Sequence, residues 1–348
     1  MPKTYNNLYP MIYDFQNIYD AWNKAKSKKR YKPEILHFSH DLEGNLIQIQ
    51  NDLIWKTYKP GSYRDFYVYE PKKRLVSAPP FRDRIVHHAL CNVIEPLFDK
   101  KMIYDSYACR DGKGTHRAAD RTQQYLREAT TKWDNVYCLK CDIKKYFPSI
   151  PHDVLKRIYR RTIYCRDTLW LLDTIIDSGS SLNEIIVRRL PIGALTSQLN
   201  ANVYMDRVDH IVKEVLKEPY YVRYMDDFII LGNSKEHLWE VKRQLEMCLN
   251  CELLLELNNK TGIFPISQGV DFVGYRIWPT HRLLRKRSIK KFKRKLRAFE
   301  KKYAAGEIAY KEIDCCVQSW IGHAKHADTY RLRAKIFGEF KLVRHSEL

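Results

Sequence analysis

Two adjacent aspartates, Asp226 and Asp227, interrupt a largely apolar run from Tyr220 to Leu231. Such a chain has few ways to fold. Two ionised carboxylates are not buried without partners, and aspartate favours turns. The pair therefore belongs where the chain reverses, between strands Tyr220–Met225 and Phe228–Leu231.

The flanking pattern extends this hairpin into a sheet. Val136–Asp142 is an apolar strand ending in a charge, and helical periodicity follows around Val154–Ile176. Leu199, Val203, Ile211 and Val215 recur at helical spacing in a segment that starts near Leu195 and stops by Pro219. After the hairpin, Asn233 precedes Glu236 by three residues, like a capping box, and opens a helix carrying Leu238, Val241, Leu245 and Leu249. Cys251–Leu257 reads as another strand. Strand, helices, hairpin, helix, strand is the order of a split βαβ, ferredoxin-like sheet. Fold alone leaves function open.

Charge narrows the partner. With 61 basic and 41 acidic residues the 348-residue chain carries a net +20, which points to a polyanion such as nucleic acid. Twelve of the basic residues lie between Arg282 and Lys302, opposed only by Glu300. Ile289, Phe292, Leu296, Phe299 and Tyr303 alternate at spacings of three and four there. One stripe of a helix packs, and Lys290, Lys293 and Arg294 are left to follow a phosphate backbone. Further helices are expected around Ile308–Trp320 and Tyr330–Phe337. No apolar run reaches membrane-spanning length and no h-region follows Met1, so a cytoplasmic protein with no membrane partner is expected. The nine cysteines lack a framework spacing and suit a reducing compartment. Cys138 and Cys141 fall on opposite faces of their strand, which disfavours a zinc clip and leaves core filler as the reading for the cysteines.

Asp142 and the Asp226–Asp227 pair bring acidic groups from separate strands to one sheet edge. That arrangement suits two hard divalent cations about 3.5–4 Å apart acting on phosphate oxygens. Tyr224-Met225-Asp226-Asp227 resembles the tyrosine-x-Asp-Asp box of reverse transcriptases, and further motifs follow the order of that family. Asp142-Ile143-Lys144-Lys145-Tyr146-Phe147 resembles its first catalytic motif. Leu190-Pro191-Ile192-Gly193-Ala194-Leu195-Thr196-Ser197-Gln198 resembles its template-and-nucleotide loop. Lys260 stands where the lysine of the fourth motif does, Phe272-Val273-Gly274-Tyr275 is similar to the primer grip, and Arg110-Asp111-Gly112-Lys113-Gly114-Thr115-His116 to the bacterial-type template-contact segment.

The resemblance implies an α+β right-hand polymerase with fingers (1–117 and 150–192), a ferredoxin-like palm (118–149 and 193–277) and a helical thumb (278–348). It implies RNA-directed DNA synthesis with two magnesium ions, manganese substituting, on Asp142, Asp226 and Asp227. The nucleotide would meet Phe147, Ile192, Gly193, Gln198, Lys73, Arg74, Arg82 and Lys260. Template and primer would meet Arg110, Gly112, Gly114, Gly274, Tyr275, Lys290, Lys293 and Arg294. Phe147 falls at the family's steric gate: a ring beneath the sugar collides with a 2′-hydroxyl and admits deoxyribose. The glycines near Arg110 allow close backbone approach to RNA.

Ile192 and Gln198 stand where most such enzymes carry glutamine and proline. The pattern resembles the reverse transcriptases of diversity-generating retroelements. These copy a template-repeat RNA into cDNA with errors opposite adenine, for replacement of part of a variable gene, and they work with a small, basic, helical, oligomeric accessory protein. The roughly seventy residues after Gly274 suffice for a thumb and are expected to hold no nuclease or maturase domain. The alternatives are another stand-alone bacterial reverse transcriptase, of the phage-defence or retron-like kind, and a catalytically inactive RNA-binding module.

Overall fold

The computed structural model describes residues 4–69, 73–179 and 187–344. In chain order the first elements are α1 (Tyr9–Tyr13), α2 (Phe15–Lys26), α3 (Pro33–His40), α4 (Leu42–Ile54), the hairpin β1 (Arg64–Val68) and β2 (Arg74–Ala78), then α5 (Phe81–Asp99) and α6 (Thr115–Lys132). Next come β3 (Tyr137–Asp142), α7 (Tyr146–Ser149), α8 (His152–Arg160), α9 (Arg166–Asp177), α10 (Leu195–His210), β4 (Tyr221–Tyr224), β5 (Asp227–Gly232) and α11 (Lys235–Glu252). The rest comprises β6 (Gly262–Pro265), β7 (Val270–Phe272), β8 (Tyr275–Ile277), β9 (Arg282–Leu284), α12 (Lys286–Ala304), α13 (Tyr310–Ala324) and α14 (Tyr330–Glu339). The chain is α+β, as its pattern predicts.

Two compact units divide it. The first comprises Met1–Cys109, Asp142–Lys217 and Arg243–Lys260. Its core gathers Ile12, Ile18, Leu46, Leu53, Ile85 and Leu90, all essentially inaccessible, each worth about 1.5–3 kcal/mol on burial. Asn17, near the start of α2, donates to the carbonyls of Ile12 and Ala89 and so ties α2 to α5. The helix expected over Val154–Ile176 is two helices, α8 and α9. The backbone between them is claimed by the N-terminal segment: Tyr5 N donates to Thr162 O, and Tyr164 N donates to Tyr5 O. The next helix, α10, runs into a π-helical turn at Ile211–Val215 and ends before Pro219, with Lys217 at φ +56°.

The expected strand at Cys251–Leu257 does not form. Helix α11 continues to Glu252, and Leu253 and Leu255 then enter the core of the first unit. Tyr204 Oη donates to Leu253 O (2.5 Å), and Leu255 N turns back to Leu249 O. Apolar residues were there to be buried, but among side chains and not in a ladder.

The second unit comprises Arg110–Cys141, Glu218–Lys242 and Thr261–Leu348. Its main sheet has the order β4-β5-β3-β6, with β4 antiparallel to β5 and β3 antiparallel to β6. That is the ferredoxin-like order, with Gly262–Pro265 in the place expected for Cys251–Leu257. A three-stranded sheet β7-β8-β9 follows. Phe292, Leu296 and Phe299 form the buried stripe of α12 and meet Ile313 and Ile336, while Phe292 stacks on Trp320 at 4.0 Å. The cap of α11 is Ser234, whose Oγ accepts from His237 N, and not Asn233. Cys91, Cys138, Cys141 and Cys248 are buried as filler, whereas Cys109, Cys251 and Cys315 are exposed.

Candidate functional site

In the second unit Tyr224 pairs with Asp227, so Met225 and Asp226 alone make the hairpin turn. Met225 has φ +60°. The first residue of such a tight turn favours glycine, and a larger residue there costs about 1–2 kcal/mol. Arg223, completely buried on β4, offsets the cost from beneath: its guanidinium donates to the Met225 carbonyl (3.1 Å). A hydrogen bond from a charged group contributes about 1.5–3 kcal/mol. The tip is thus fixed where the two aspartates leave it. Lys140 of β3 lies 3.5 Å from Asp227 Oδ2. The sheet order sets β3, which ends in Asp142, beside β5, which begins with Asp227.

The first unit assembles the segments expected to meet the nucleotide. Asp142 O accepts from Asn258 N (2.7 Å), and Asn258 Oδ1 accepts from Lys260 N (3.2 Å), leaving the Lys260 side chain exposed. Beyond Asp142 the chain turns through Lys145 (φ +47°) into α7, where the Tyr146 hydroxyl is tied to Ala201 O. The half-buried Phe147 ring lies edge-on to Tyr146, and Phe147 O accepts from Leu190 N (2.9 Å). From Leu190 the loop reaches β2: Ser77 N donates to Ile192 O (2.8 Å), and Arg189 donates to Ser77 Oγ. Gly193 sits against β2 at φ +122°, where a Cβ would come within 2.8 Å of Val76 and 3.2 Å of Ser77 O. Gln198, in the first turn of α10, is exposed.

Arg82 is on α5, ion-paired with Asp52 and set over the Tyr58 ring, so its fork is already engaged. Arg74 opens β2 exposed, and the Lys73 ammonium lies over Tyr67 (4.4 Å). Gly112 (φ +67°) and Gly114 (φ +117°) do adopt backbone that suits glycine, and Gly114 caps α6; Arg110 is partly buried at the start of this segment. Gly274 lies in the turn into β8, and Tyr275 opens that strand. Lys290 and Arg294 are exposed on α12, and Lys293 is half-buried.

Several residues that organise these segments gave no sequence signal of their own: Arg223, Lys140, Ser77, Arg189 and Asn258. An arginine inside an apolar strand is the one oddity that could have pointed to the first of them.

Among the described residues, no group of three or more His, Cys, Asp or Glu side chains is gathered to hold a metal ion by itself. The donor chemistry still fits magnesium, which takes hard oxygens and commonly needs only one or two protein carboxylates when substrate phosphates supply the rest.

The family model described as "Reverse transcriptase (RNA-dependent DNA polymerase)" matches residues 59–277, well over half of the chain. The chain belongs to the reverse transcriptase family. Its fold class is therefore that of a right-hand polymerase, and the match runs from before β1 to the end of β8. The chain is similar to Protein YkfC of Escherichia coli, 25% identical over 281 residues that cover 69% of this chain and 71% of that protein. It is also similar to the group II intron-encoded protein LtrA of Lactococcus lactis, 25% identical over 345 residues, covering 78% of this reverse transcriptase but 55% of LtrA. A solved telomerase from Candida albicans in complex with a fragment of telomeric RNA aligns at 12% identity and TM-score 0.49, over 71% of this chain and 51% of that one. The chain thus spans about half the length of the intron-encoded protein and the telomerase. No described helix is long and apolar enough to cross a membrane.

Proposed function

We propose that this reverse transcriptase copies a template-repeat RNA into cDNA, with errors concentrated opposite adenine, to diversify part of a variable gene. In each step the primer 3′-oxygen forms a bond to the α-phosphorus of a dNTP, and the bond to pyrophosphate breaks. Magnesium, when bound, supplies charge neutralisation at the attacking and leaving oxygens. Asp142 and Asp226 would hold the cations, with Asp227 oriented by Lys140. Phe147 excludes the ribose 2′-hydroxyl, Lys260 and Arg74 reach the triphosphate, and the glycines of the 110–116 segment meet template RNA. The basic helix α12 follows the duplex backbone through Lys290, Lys293 and Arg294.

The observation that carries the subfamily reading is the position of Ile192. Its carbonyl is pinned to Ser77 and Gly193 is pressed on β2, so the side chain at 192 is presented from a fixed backbone. Glutamine there could hydrogen-bond across the nascent pair. Isoleucine offers apolar contact alone, so pair geometry is discriminated less strictly. The partners that go with this reading are template RNA, cDNA, dNTPs and a small, basic, helical, oligomeric accessory protein, in the cytoplasm.

Primer extension on a defined RNA template with magnesium, followed by sequencing, tests the reading. DNA synthesis from dNTPs, its loss in Asp226→Ala, and errors at template adenines that fall in Ile192→Gln are the expected results. Accurate synthesis by the wild type would move the chain to another stand-alone bacterial lineage. RNA binding without any extension, with accessory protein and cognate RNA supplied, would leave a binding module.

A further inference from the structure

The hairpin between β7 and β8 closes through Val273 and Gly274, because Phe272 pairs with Tyr275. Both turn residues have positive φ, +42° for Val273 and +95° for Gly274. A two-residue turn of that kind is built for Asn-Gly, and a β-branched residue at positive φ is a true outlier. Local preference opposes this turn, so tertiary contacts must hold it.

The contacts converge on one hydroxyl. The Tyr275 side chain is fully buried, and its Oη lies 3.0 Å from His116 Nδ1, 3.0 Å from His323 Nδ1 and 3.0 Å from His323 O. A phenol has one proton and two lone pairs. The proton goes to the His323 carbonyl, and both imidazoles donate Nδ1–H to the oxygen, which fills its capacity. The His323 ring also stacks on the Tyr275 ring (4.7 Å) and reaches within 3.5 Å of the position a Cβ on Gly274 would take. His116, in the first turn of α6, stacks on His326 at 3.6 Å. Arg282 of β9 lies over the Tyr275 ring and pairs with Asp120 of α6, while Asp328 accepts from the Arg282 amide. Three segments remote in sequence therefore meet at the strained turn: the start of α6, the β7–β8 hairpin and the end of α13.

We propose that His116 and His323 are positioning residues for the primer 3′ end, locking through Tyr275 the Val273–Gly274 turn on which the primer strand rests. This rests on the polymerase reading above and on the similarity of Phe272-Val273-Gly274-Tyr275 to a primer grip. Neither histidine touches the reacting atoms. They fix the backbone of the turn, and a turn that holds its locked shape only part of the time binds the primer strand more weakly by that fraction. Burial, then the neighbouring imidazoles, holds the His116 and His323 pKa values below the ordinary histidine range, which keeps both rings neutral at physiological pH and able to share the phenol oxygen.

Tyr275→Phe deletes the hydroxyl and keeps the ring, so it tests the lock with little risk to folding. Steady-state extension should show the KM for primer–template raised about tenfold, the scale of one buried polar group left unsatisfied, with kcat at saturating primer and the KM for dNTP little changed. His323→Leu should behave alike, and His323→Asn, whose side-chain amide occupies the place of Nδ1, should recover most of the affinity. Hydrogen exchange at residues 273–275 should accelerate in Tyr275→Phe and His323→Leu and return toward wild type in His323→Asn. Unchanged exchange and unchanged primer KM in Tyr275→Phe would overturn the proposal. A wild-type chain that extends no primer would overturn the polymerase reading instead, and the exchange data would still decide whether the lock exists.

Discussion

Replacing Gly193 by alanine puts one methyl group where the structure has no room and the backbone has the wrong sign. At φ +122° a side chain is strained by about 1–3 kcal/mol whatever surrounds it. The added Cβ would also stand 2.8 Å from Val76 Cγ1 and 3.2 Å from the Ser77 carbonyl. Overpacking of that degree costs about 1–3 kcal/mol more, because Ser77 is backbone in a paired strand and cannot swing away. The loop then has about 2–6 kcal/mol to gain by leaving β2, which breaks the Ser77 N to Ile192 O hydrogen bond. If only the seated loop accepts dNTP, the apparent affinity falls with the fraction seated, so a loss of about 30-fold or more is expected. Single-nucleotide incorporation at varied dNTP, with primer–template saturating, reads this as a raised KM. Val76→Ala in the same chain removes the side-chain clash and leaves the φ penalty, so the double variant should recover part of the loss. A Gly193→Ala enzyme with wild-type KM for dNTP and an unchanged unfolding midpoint would refute the argument that this loop must lie against β2.

On the proposed role of the half-buried Phe147 ring against a 2′-hydroxyl, Phe147→Ala should retain DNA synthesis while its incorporation of rNTPs rises by about tenfold or more; paired dNTP and rNTP extension rates check it, and an unchanged ratio would place the gate elsewhere. His87, on α5 beside Thr196, is wholly buried, and burial followed by the neighbouring His88 lowers its pKa to about 3. The fold keeps it neutral while the unfolded chain takes up a proton below pH 6.5, so its contribution is intact above 6.5 and is lost as pH falls from there toward 3. At pH 4.5 the loss is about 3 kcal/mol. Urea unfolding at pH 7 and 4.5 should therefore show a shallower pH dependence in His87→Leu; an identical dependence would mean that His87 does not titrate on unfolding.

The sequence by itself determined the parts whose physics is local. The apolar run broken by Asp226 and Asp227 pointed to the hairpin, because a charged pair in such a run favours a turn, and β4 and β5 are there. The three-and-four spacing of Phe292, Leu296 and Phe299 gave the buried stripe of α12 for the same kind of reason. The family was legible because its motifs are contiguous residues in a fixed order. Tertiary structure decided whatever depends on partners far along the chain. Leu253 and Leu255 have strand-like neighbours, yet they are drawn into a side-chain core where Tyr204 takes the backbone carbonyl. Arg82 reads as a phosphate ligand in a basic segment, but Asp52, thirty residues earlier, already holds it. Ile192 is fixed by Ser77, and the Val273–Gly274 turn by two histidines on different helices. Periodicity reports which face of an element is apolar; it carries no term for which distant donor meets which acceptor, and in this chain those meetings set the geometry of the candidate site.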